Sequence, residues 1–396
     1  EDKLKKKGEK TLYLNLDYDD QFPLFSSQGK LIDYIRLQVG GEKAYIFIDE
    51  IQRKVNAETF LKGLSDMKLS YKFILSGSGS LELKSKIPES MAGRKRFFTI
   101  NPLSFEEFVN AKTDYRYEEK LMDFFRIDPR QTQSLFEEYM MYGGYPRVVL
   151  ANTVQDKRVE MEDIYRSYIE RDIKSFLDVA KPSAYTNLVK ILASQVGSLV
   201  NTTELSSTIG IADKTVQHYL AYLEKTFIIK KVTPFFRNIR SEVTKAPIYY
   251  FIDSGLRNYM LGLFGLPIIP SPLAGHLFEN IIFNLLREYV TTSAIDIHFW
   301  RTRDQAEVDF VLETGLKVVP IEAKYTKIKA PQVTRSFRSF LQKYKPKKGF
   351  IIHLGEQMET KIDGVKIYFI PFFKTQIILP YPTRRYIGED IKEFID

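Results

Sequence analysis

Two adjacent carboxylates, Asp49 and Glu50, follow directly after the apolar run AYIFI in this chain of 396 residues. A continuous apolar run is typical of a strand buried in a parallel sheet, and such sheets form their ligand crevices at the carboxyl ends of the strands. The two acids could divide the work of phosphate chemistry, the first helping to hold Mg²⁺ and the second polarising the attacking water. The alternative is a strand that ends in solvated acids.

Two further polar residues could serve the same site. Ser76 ends the second apolar run, KFILSGSGS, where its hydroxyl could touch a γ-phosphate or the water. Arg94, in MAGRKR, could stabilise the transferred charge. The glycines around Ser76 also fit an ordinary flexible turn, and Arg94 also fits a solvated surface charge.

A second set of charged residues lies in the C-terminal third of the chain. Asp309 lies in AEVDFVLE, and Glu322 and Lys324 lie in PIEAKY, where period-2 alternation puts the last two on one face of a strand. Two acids on neighbouring strands could bind Mg²⁺, while the lysine steadies the charge that develops on a scissile phosphate. Glu279, on the preceding predicted helix, could complete the site. Alternatively, Lys324 only neutralises Glu322, or an inactive core serves folding or binding.

A third pattern covers residues 200–252, which predict helix, turn, helix, strand, strand, with the turn at Gly210. This order is typical of a winged helix, whose second helix and wing could meet a phosphate backbone. The candidate DNA-contacting residues are Lys214, Gln217, His218, Lys230, Lys231, Arg237 and Arg240. The alternative is a winged-helix fold that serves packing alone and carries solvated charges.

The elements around these residues predict an α/β protein. Continuous apolar strands alternate with helices up to about residue 80, which indicates a parallel sheet covered on both faces. From about 103 to 195 the strand patterns fade, and a helical lid or linker is expected. After the Gly/Pro-rich stretch LFGLPIIPSPLAG, the predicted order is helix, three strands, helix, strand.

The order of these motifs resembles the AAA-type P-loop ATPases of archaea and bacteria that carry a C-terminal domain of unknown function. The N-terminal matches are FIDE, as the Walker B strand, LSGSGS, MAGR and NPLSFEEF at 101–108. The later matches are YGGYPRVV, YIERDIKSF, YYFIDSGL and FEN…FWRTRDQAEVDF…PIEAK. The last of these, with its element order, also resembles the PD-(D/E)xK nuclease core. The resemblance covers nearly the whole chain and implies binding of ATP and Mg²⁺.

We therefore expect four parts: a parallel-sheet P-loop ATPase core at 1–110, a helical lid or linker at 111–195, a winged helix at 196–262 and a restriction-endonuclease-like α/β domain at 263–396. No G-x-x-x-x-G-K-[ST] loop occurs in the sequence. In the family this loop precedes the segment that residues 1–17 resemble. The expectation is that the chain begins just after the phosphate loop, inside its helix.

The amino-acid composition excludes several kinds of catalytic and metal site. The chain has no cysteine, which excludes disulfides, thiol catalysis and Cys-based zinc sites. Its four histidines, at 218, 276, 298 and 353, do not have the short spacing of a His-based metal site. The formal charge of +8 is compatible with polyanion binding without requiring it. No apolar run approaches the ~18 residues of a membrane span, so a cytoplasmic protein with no membrane partner is expected.

These observations favour an ATP-dependent, DNA-directed protein whose C-terminal domain cuts or grips DNA. The rival hypothesis is a non-catalytic, ATP-gated switch whose winged helix and inactive nuclease-like domain only bind DNA or a protein partner. A homo-oligomer is compatible with both. Metal-dependent cleavage of DNA distinguishes them.

Overall fold

The apolar runs of the N-terminal part form a parallel sheet, as their sequence predicts. In the computed structural model, β1 (Thr11–Asn15), β2 (Ala44–Asp49) and β3 (Tyr71–Leu75) pair in parallel in the order β1-β2-β3. This three-stranded sheet fits an AAA-like core. Because β2 is central, the chain directly after it lies between the ends of the two outer strands.

The structure describes residues 1–77, 96, 98–167, 182–236, 245–290, 295–315 and 317–378. The chain divides into two units, Glu1–Ile100 and Asn101–Asp396. The finer division of the second unit at 195/196 and 262/263 stays a prediction. None of the helices in the described ranges has the length and apolar character needed to cross a membrane.

The helices of the first unit are α1 (Asp2–Lys5), α2 (Gln28–Val39) and α3 (Ala57–Asp66), with 3₁₀ turns at Phe22–Ser26 and Ile51–Arg53. The start of α2 is set by Ser27, whose side chain accepts a hydrogen bond from the backbone N–H of Lys30. The core between helices and sheet is aliphatic and includes Leu31, Ile35, Ile46, Ile48 and Phe60. Burial of these side chains holds the ends of the three strands in register.

The second unit begins with helices, as the loss of strand patterning after residue 103 predicts. They are α4 (Phe105–Lys112), α5 (Leu121–Ile127), α6 (Pro129–Tyr142), α7 (Pro146–Leu150), α8 (Val154–Tyr165) and α9 (Pro182–Ser194). A capping box at Ser104 and Glu107 starts α4. The backbone N–H groups of Ser104 and Glu107 are therefore partnered where the segment NPLSFEEF enters its helix.

The next elements follow the predicted order of helix, turn, helix, strand, strand. They are α10 (Thr202–Ile209), α11 (Asp213–Lys225), β4 (Ile229–Val232) and β5 (Ile248–Phe251), and the two strands pair antiparallel. Asn201 caps α10, and Gly210 ends it in the left-handed conformation with φ of 75°. Arg237 and Arg240, two predicted DNA-contacting residues, lie outside the described residues.

The last part is a six-stranded mixed sheet in the order β10-β11-β9-β8-β7-β6. Its elements are α12 (Ser254–Met260), α13 (Ser271–Val290), β6 (Asp296–Arg301), β7 (Glu307–Thr314), β8 (Lys317–Lys324), α14 (Arg335–Tyr344), β9 (Lys348–His353), β10 (Met358–Ile362) and β11 (Val365–Pro371), followed by a 3₁₀ segment Phe372–Ile378. The order helix, three strands, helix, strand is the predicted one. The hairpin β10-β11 extends the sheet beyond the last strand that the sequence predicted.

Helix α13 contacts several parts of the second unit. Its fully buried Asn280 accepts a hydrogen bond from the N–H of Phe251 at 2.8 Å and donates one to the carbonyl of Phe251 at 2.7 Å. Near its end, Arg287 donates to the side chain of Asn101 at 3.2 Å. The helix therefore joins strand β5 to the start of the second unit.

A buried carboxylate joins two of the glycine-containing motifs. Asp253, at the start of α12, accepts hydrogen bonds from the N–H of Gly144 at 2.7 Å and of Leu256 at 2.8 Å. Burial raises the pKa of Asp253 to about 6, against the lowering effect of these bonds. Gly143 has φ of 76°, and a Cβ built on it would lie 2.3 Å from a carboxylate oxygen of Asp253. The turn therefore requires glycine for both its backbone and its contact.

Gly143→Ala is expected to lower the free energy of unfolding of the full chain by at least about 2 kcal/mol more than Gly262→Ala does. Both glycines have positive φ, of 76° and 70°, but a Cβ at Gly262 meets nothing within 4 Å. The larger loss at Gly143 combines the clash with Asp253 and the strain of a backbone with ψ of −164°, a region that essentially only glycine adopts. Urea denaturation measures both losses, and equal losses would contradict the role assigned to the contact.

Candidate functional site

The carboxylate of Asp49 is held by side chains from both neighbouring strand ends. Its Oδ1 accepts hydrogen bonds from the Ser76 hydroxyl at 2.5 Å and from the N–H of Glu50 at 3.1 Å. Its Oδ2 accepts a hydrogen bond from the Tyr13 hydroxyl at 2.8 Å. The bond from Ser76 is the main cause that lowers the pKa of Asp49, so this group is ionised at neutral pH.

Glu50 points its carboxylate elsewhere because the chain turns sharply after β2. Its backbone has φ of 53° and ψ of 37°, the left-handed region that few non-glycine residues adopt. The side chain of Gln52, in the following 3₁₀ turn, donates a hydrogen bond to Glu50 Oε2. The adjacent acids therefore have different surroundings, which suits the separate roles that the sequence predicts for them.

The structure places Ser76 next to Asp49. Its hydroxyl, predicted to touch a phosphate or the attacking water, instead donates a hydrogen bond to the Asp49 carboxylate. Arg94 lies outside the described residues. The sequence prediction missed Tyr13, whose strand reads only as an alternating apolar segment. The parallel register pairs Asn15 with Asp49, so Tyr13 lies two residues before the position opposite the acid. An Asp49 whose oxygens still have acceptor capacity fits a role in holding Mg²⁺, the metal that ATP chemistry requires.

Asp309, Glu322 and Lys324 lie together where β7 and β8 separate. The last ladder pair is Phe310 with Ile321, and the same register continued by one residue puts Asp309 opposite Glu322. The N–H of Ala323 donates to Asp309 Oδ2 at 2.8 Å. Lys324 Nζ lies 3.8 Å from Glu322 Oε2. The Asp309 carboxylate thus accepts a hydrogen bond from the backbone of β8, close to Glu322 and Lys324.

Glu279 approaches this cluster from helix α13. The hydroxyl of Tyr250 donates to Glu279 Oε1 at 2.5 Å, and His276 Nδ1 lies 3.8 Å from Glu279 Oε2. Burial raises the pKa of Glu279 to about 7, and the Asp309 carboxylate adds to the rise. Burial also raises the pKa of Glu322 to about 7. At neutral pH these acids hold protons that exposed acids would have lost.

Lys324 lies among these acids. Burial opposes its charge, but the carboxylates of Asp309, Glu322 and Glu279 outweigh burial, and the net effect raises the pKa of Lys324. Burial raises the pKa of Asp309, and Lys324 opposes that rise. Asp309 and Lys324 therefore interact electrostatically with Glu279 on α13 and with Glu322 on β8.

The surroundings of Glu322 bear on whether a divalent cation fits. Its Oε1 accepts a hydrogen bond from Thr334 at 2.7 Å, whereas Oε2 is buried and accepts none within the described residues. This oxygen faces the Lys324 ammonium at 3.8 Å and keeps lone pairs that could bind a metal. In the part of the chain that the structure describes, no three His, Asp or Glu side chains are grouped to hold a metal. A cation would therefore be held by Asp309 and Glu322 as a pair.

A cavity of about 360 Å³ lies beside Glu322 and Lys324. Its polar lining residues are Glu322, Lys324, Thr326, Lys329, Gln332 and Thr334. The hydroxyls, the amide and the two ammonium groups are donors, which suits an anionic ligand next to the buried carboxylate.

The predicted DNA-contacting residues within the described ranges are exposed. Lys214, Gln217 and His218 share a face of α11, at spacings of three and four residues. Lys230 and Lys231 are exposed on β4. Lys230 is already in an ion pair with Glu224 at 2.7 Å. This pairing could not be read from the sequence.

Comparison with known proteins gives three matches along the chain. Residues 1–109 match an AAA domain, residues 133–266 a domain of unknown function (DUF8612), and residues 274–373 a second domain of unknown function (DUF4143). Residue 109 lies within α4, residue 133 within α6 and residue 274 within α13.

Among similar proteins is an uncharacterized protein of Haemophilus influenzae, 25% identical over 372 residues, which are 92% of this chain and 86% of that protein. The uncharacterized protein Rv2008c of Mycobacterium tuberculosis is 25% identical over 332 residues, 83% of this chain and 69% of that protein. The crystal structure of protein VC1899 from Vibrio cholerae matches 86% of this chain and 90% of that chain at 11% identity. Its TM-score of 0.18 is too low to carry an argument.

The N-terminal match implies binding of ATP, usually with Mg²⁺, and suggests a nucleotide-binding ATPase. The AAA domain at residues 1–109 and the domain at residues 274–373 together support an AAA-type ATPase family for this chain.

Proposed function

We propose that this AAA-type ATPase binds DNA and cuts it in a metal-dependent reaction at its C-terminal site. The observation that carries the proposal is that Asp309 lies opposite Glu322 where β7 and β8 separate, with Lys324 Nζ 3.8 Å from Glu322 Oε2 and Glu279 approaching from helix α13. When these acids are ionised they outnumber the lysine, and a divalent cation would balance the excess of negative charge. Buried carboxylates with no such partner would be costly in a site that serves packing alone.

The residues have distinct roles in this proposal. Asp309 and Glu322 would hold Mg²⁺, which when bound polarises the scissile phosphate. Lys324, kept charged by its acid neighbours, would stabilise the negative charge that develops on the phosphate oxygens. The donors that line the cavity beside Glu322 would hold the phosphate backbone of the DNA.

The other domains supply control and binding. Asp49 and Glu50 would hold the metal of ATP and polarise the attacking water, with Ser76 and Tyr13 fixing Asp49. The helical part at 111–195 is proposed as a lid or linker, 196–262 as a winged helix and 263–396 as a nuclease-like domain. Exposed Lys214, Gln217, His218 and Lys231 would meet the DNA backbone, and a homo-oligomer is compatible with this arrangement.

A second candidate is the ATP-gated binding switch with an inactive nuclease-like domain. One observation favours it: within the described ranges, no three His, Asp or Glu side chains are grouped to hold a metal. In that case the acids and Lys324 would serve as a neutralised polar core.

The test of cleavage compares Asp309→Ala and Lys324→Ala with Glu359→Ala, a control at an exposed position on β10. With Mg²⁺ or Mn²⁺, the unaltered chain should cut single-stranded, duplex or branched DNA. Asp309→Ala should abolish cleavage because a metal ligand is lost. Lys324→Ala should bind Mn²⁺ but cut at least about a hundredfold more slowly. Absence of metal-dependent cutting of every DNA form would favour the switch.

The test of DNA binding reverses charge at Lys214 and Lys231 and, separately, at Lys230. The first two reversals should weaken binding equally for all sequences and flatten its salt dependence by roughly one counterion each. Lys230→Glu should have a smaller effect, because Glu224 already neutralises this lysine. Lys361→Glu, at an exposed position on β10, is the control. Fluorescence anisotropy at several salt concentrations measures each affinity, and unchanged salt slopes would contradict the assignment.

The raised pKa values predict how stability depends on pH when no divalent ion is present. Glu322 has a pKa of about 7 in the folded chain against an ordinary value of 4.5, so the folded state binds the extra proton. The contribution of Glu322 to stability should therefore be fully present below about pH 4.5 and be lost as the pH rises through about 7. Glu322→Gln should reduce this fall by about 1–3 kcal/mol. Urea titrations in EDTA between these pH values measure it, and an unchanged slope would argue against burial of the charge.

A further inference from the structure

Tyr250 belongs to the segment 196–262 but contacts the candidate catalytic acid. It lies on β5, is fully buried, and donates its hydroxyl proton to Glu279 Oε1. Its ring stacks on Phe283, with centroids 4.6 Å apart and planes 20° apart, and lies 5.8 Å from the ring of Phe310. Packing on both neighbours fixes the position from which the hydroxyl holds the carboxylate.

Gly197, at the other end of the same segment, covers this carboxylate with backbone. It lies in the turn after α9 with φ of 79°, and a Cβ built on it would be 3.0 Å from Glu279 Oε1 and 3.1 Å from Oε2. The same Cβ would lie 3.1 Å from His276 Nδ1. Any side chain at this position would therefore press on the carboxylate and its histidine neighbour.

The turn and the strand are joined to each other and to α13. The N–H of Val200 donates to the carbonyl of Pro247 at 2.8 Å, and Leu199 forms a bridge with Ile248. Asn280, the residue after Glu279, bonds both backbone groups of the strand residue that follows Tyr250. Gly197, Tyr250 and Glu279 therefore share one rigid framework.

We propose that the segment 196–262 completes the C-terminal site, with Tyr250 and Gly197 acting as positioning residues for Glu279. This inference rests on the proposed function, since it assigns the DNA-binding segment a part in the cutting site. The other groups that face Glu279 are His276 from its own helix, Asp309 from β7 and Lys324 from β8. With these fixed, the hydroxyl and the covering backbone decide where the carboxylate lies.

The test uses the full chain with two variants and a matched control for each. Tyr250→Phe removes only the hydroxyl, and Tyr249→Phe alters the neighbouring buried tyrosine on the same strand. Gly197→Ala adds the pressing Cβ, whereas Gly210→Ala adds a Cβ at a similar φ of 75° with nothing within 4 Å. The control variants therefore reproduce the loss of a hydroxyl and the backbone strain without touching Glu279.

The first readout is the NMR titration of His276 in metal-free protein, assigned with His276→Gln. The Glu279 carboxylate, 3.8 Å from Nδ1 of His276, is the main cause that raises the pKa of His276. Tyr250→Phe and Gly197→Ala should lower the titration midpoint by about half a unit because the carboxylate is displaced or less ionised. Tyr249→Phe and Gly210→Ala should leave it unchanged. Equal midpoints in all four variants would overturn the proposal.

The second readout is the kinetics of DNA cleavage with Mn²⁺. The two positioning variants should lower kcat about tenfold while KM for DNA stays within about twofold, because the DNA-contacting surface is intact. A rise in KM with unchanged kcat would overturn the positioning role. If the unaltered chain cuts no DNA, the proposed cleavage fails, whereas the histidine titration still decides whether the segment positions Glu279.

Discussion

The constraint on which the second unit depends is the burial of like charges at the end of β7 and β8. Glu322 is buried, Glu279 and Asp309 are half-buried, and Lys324 is the cation that lies among them. Each acid has a raised pKa because water is excluded, so the cluster is close to a change of protonation near neutral pH. Neighbouring elements donate one hydrogen bond to each acid: Tyr250 to Glu279, Thr334 to Glu322 and the N–H of Ala323 to Asp309.

Helix α13 is the element that makes this arrangement possible. It carries Glu279 into the cluster, fixes β5 through Asn280, and reaches Asn101 through Arg287. From Glu279 to Arg287 the helix rises about 12 Å. The candidate site, the strand that carries Tyr250 and the start of the second unit are thus parts of one packed framework.

The sequence predicted which polar residues lie at the strand ends, although it assigned Ser76 to a phosphate or a water rather than to Asp49. Asp49 and Ser76 meet because the carboxyl ends of parallel strands share one edge, and an apolar run followed by a polar residue marks such an end. The order of elements in the C-terminal domain was predictable for the same reason. The pairing of Asp309 with Glu322 needed the additional assumption that their strands are neighbours.

Other contacts could not be predicted because they depend on packing between distant elements. Tyr250 reads as part of an apolar strand, and no local pattern distinguishes its hydroxyl as the donor to an acid 29 residues later. Gly197 reads as an ordinary turn glycine until the neighbouring carboxylate is known. Lys230 reads as a DNA-contacting cation, although Glu224 already pairs with it.

At Glu50 the backbone conformation favours glycine, whereas a carboxylate after β2 requires an acidic residue. Its left-handed conformation is most easily adopted by glycine, and glutamate there costs of order 1 kcal/mol. A glycine would satisfy the turn but supply no carboxylate beside Asp49. The first unit is therefore less stable than its fold allows, and in exchange an acid follows the central strand.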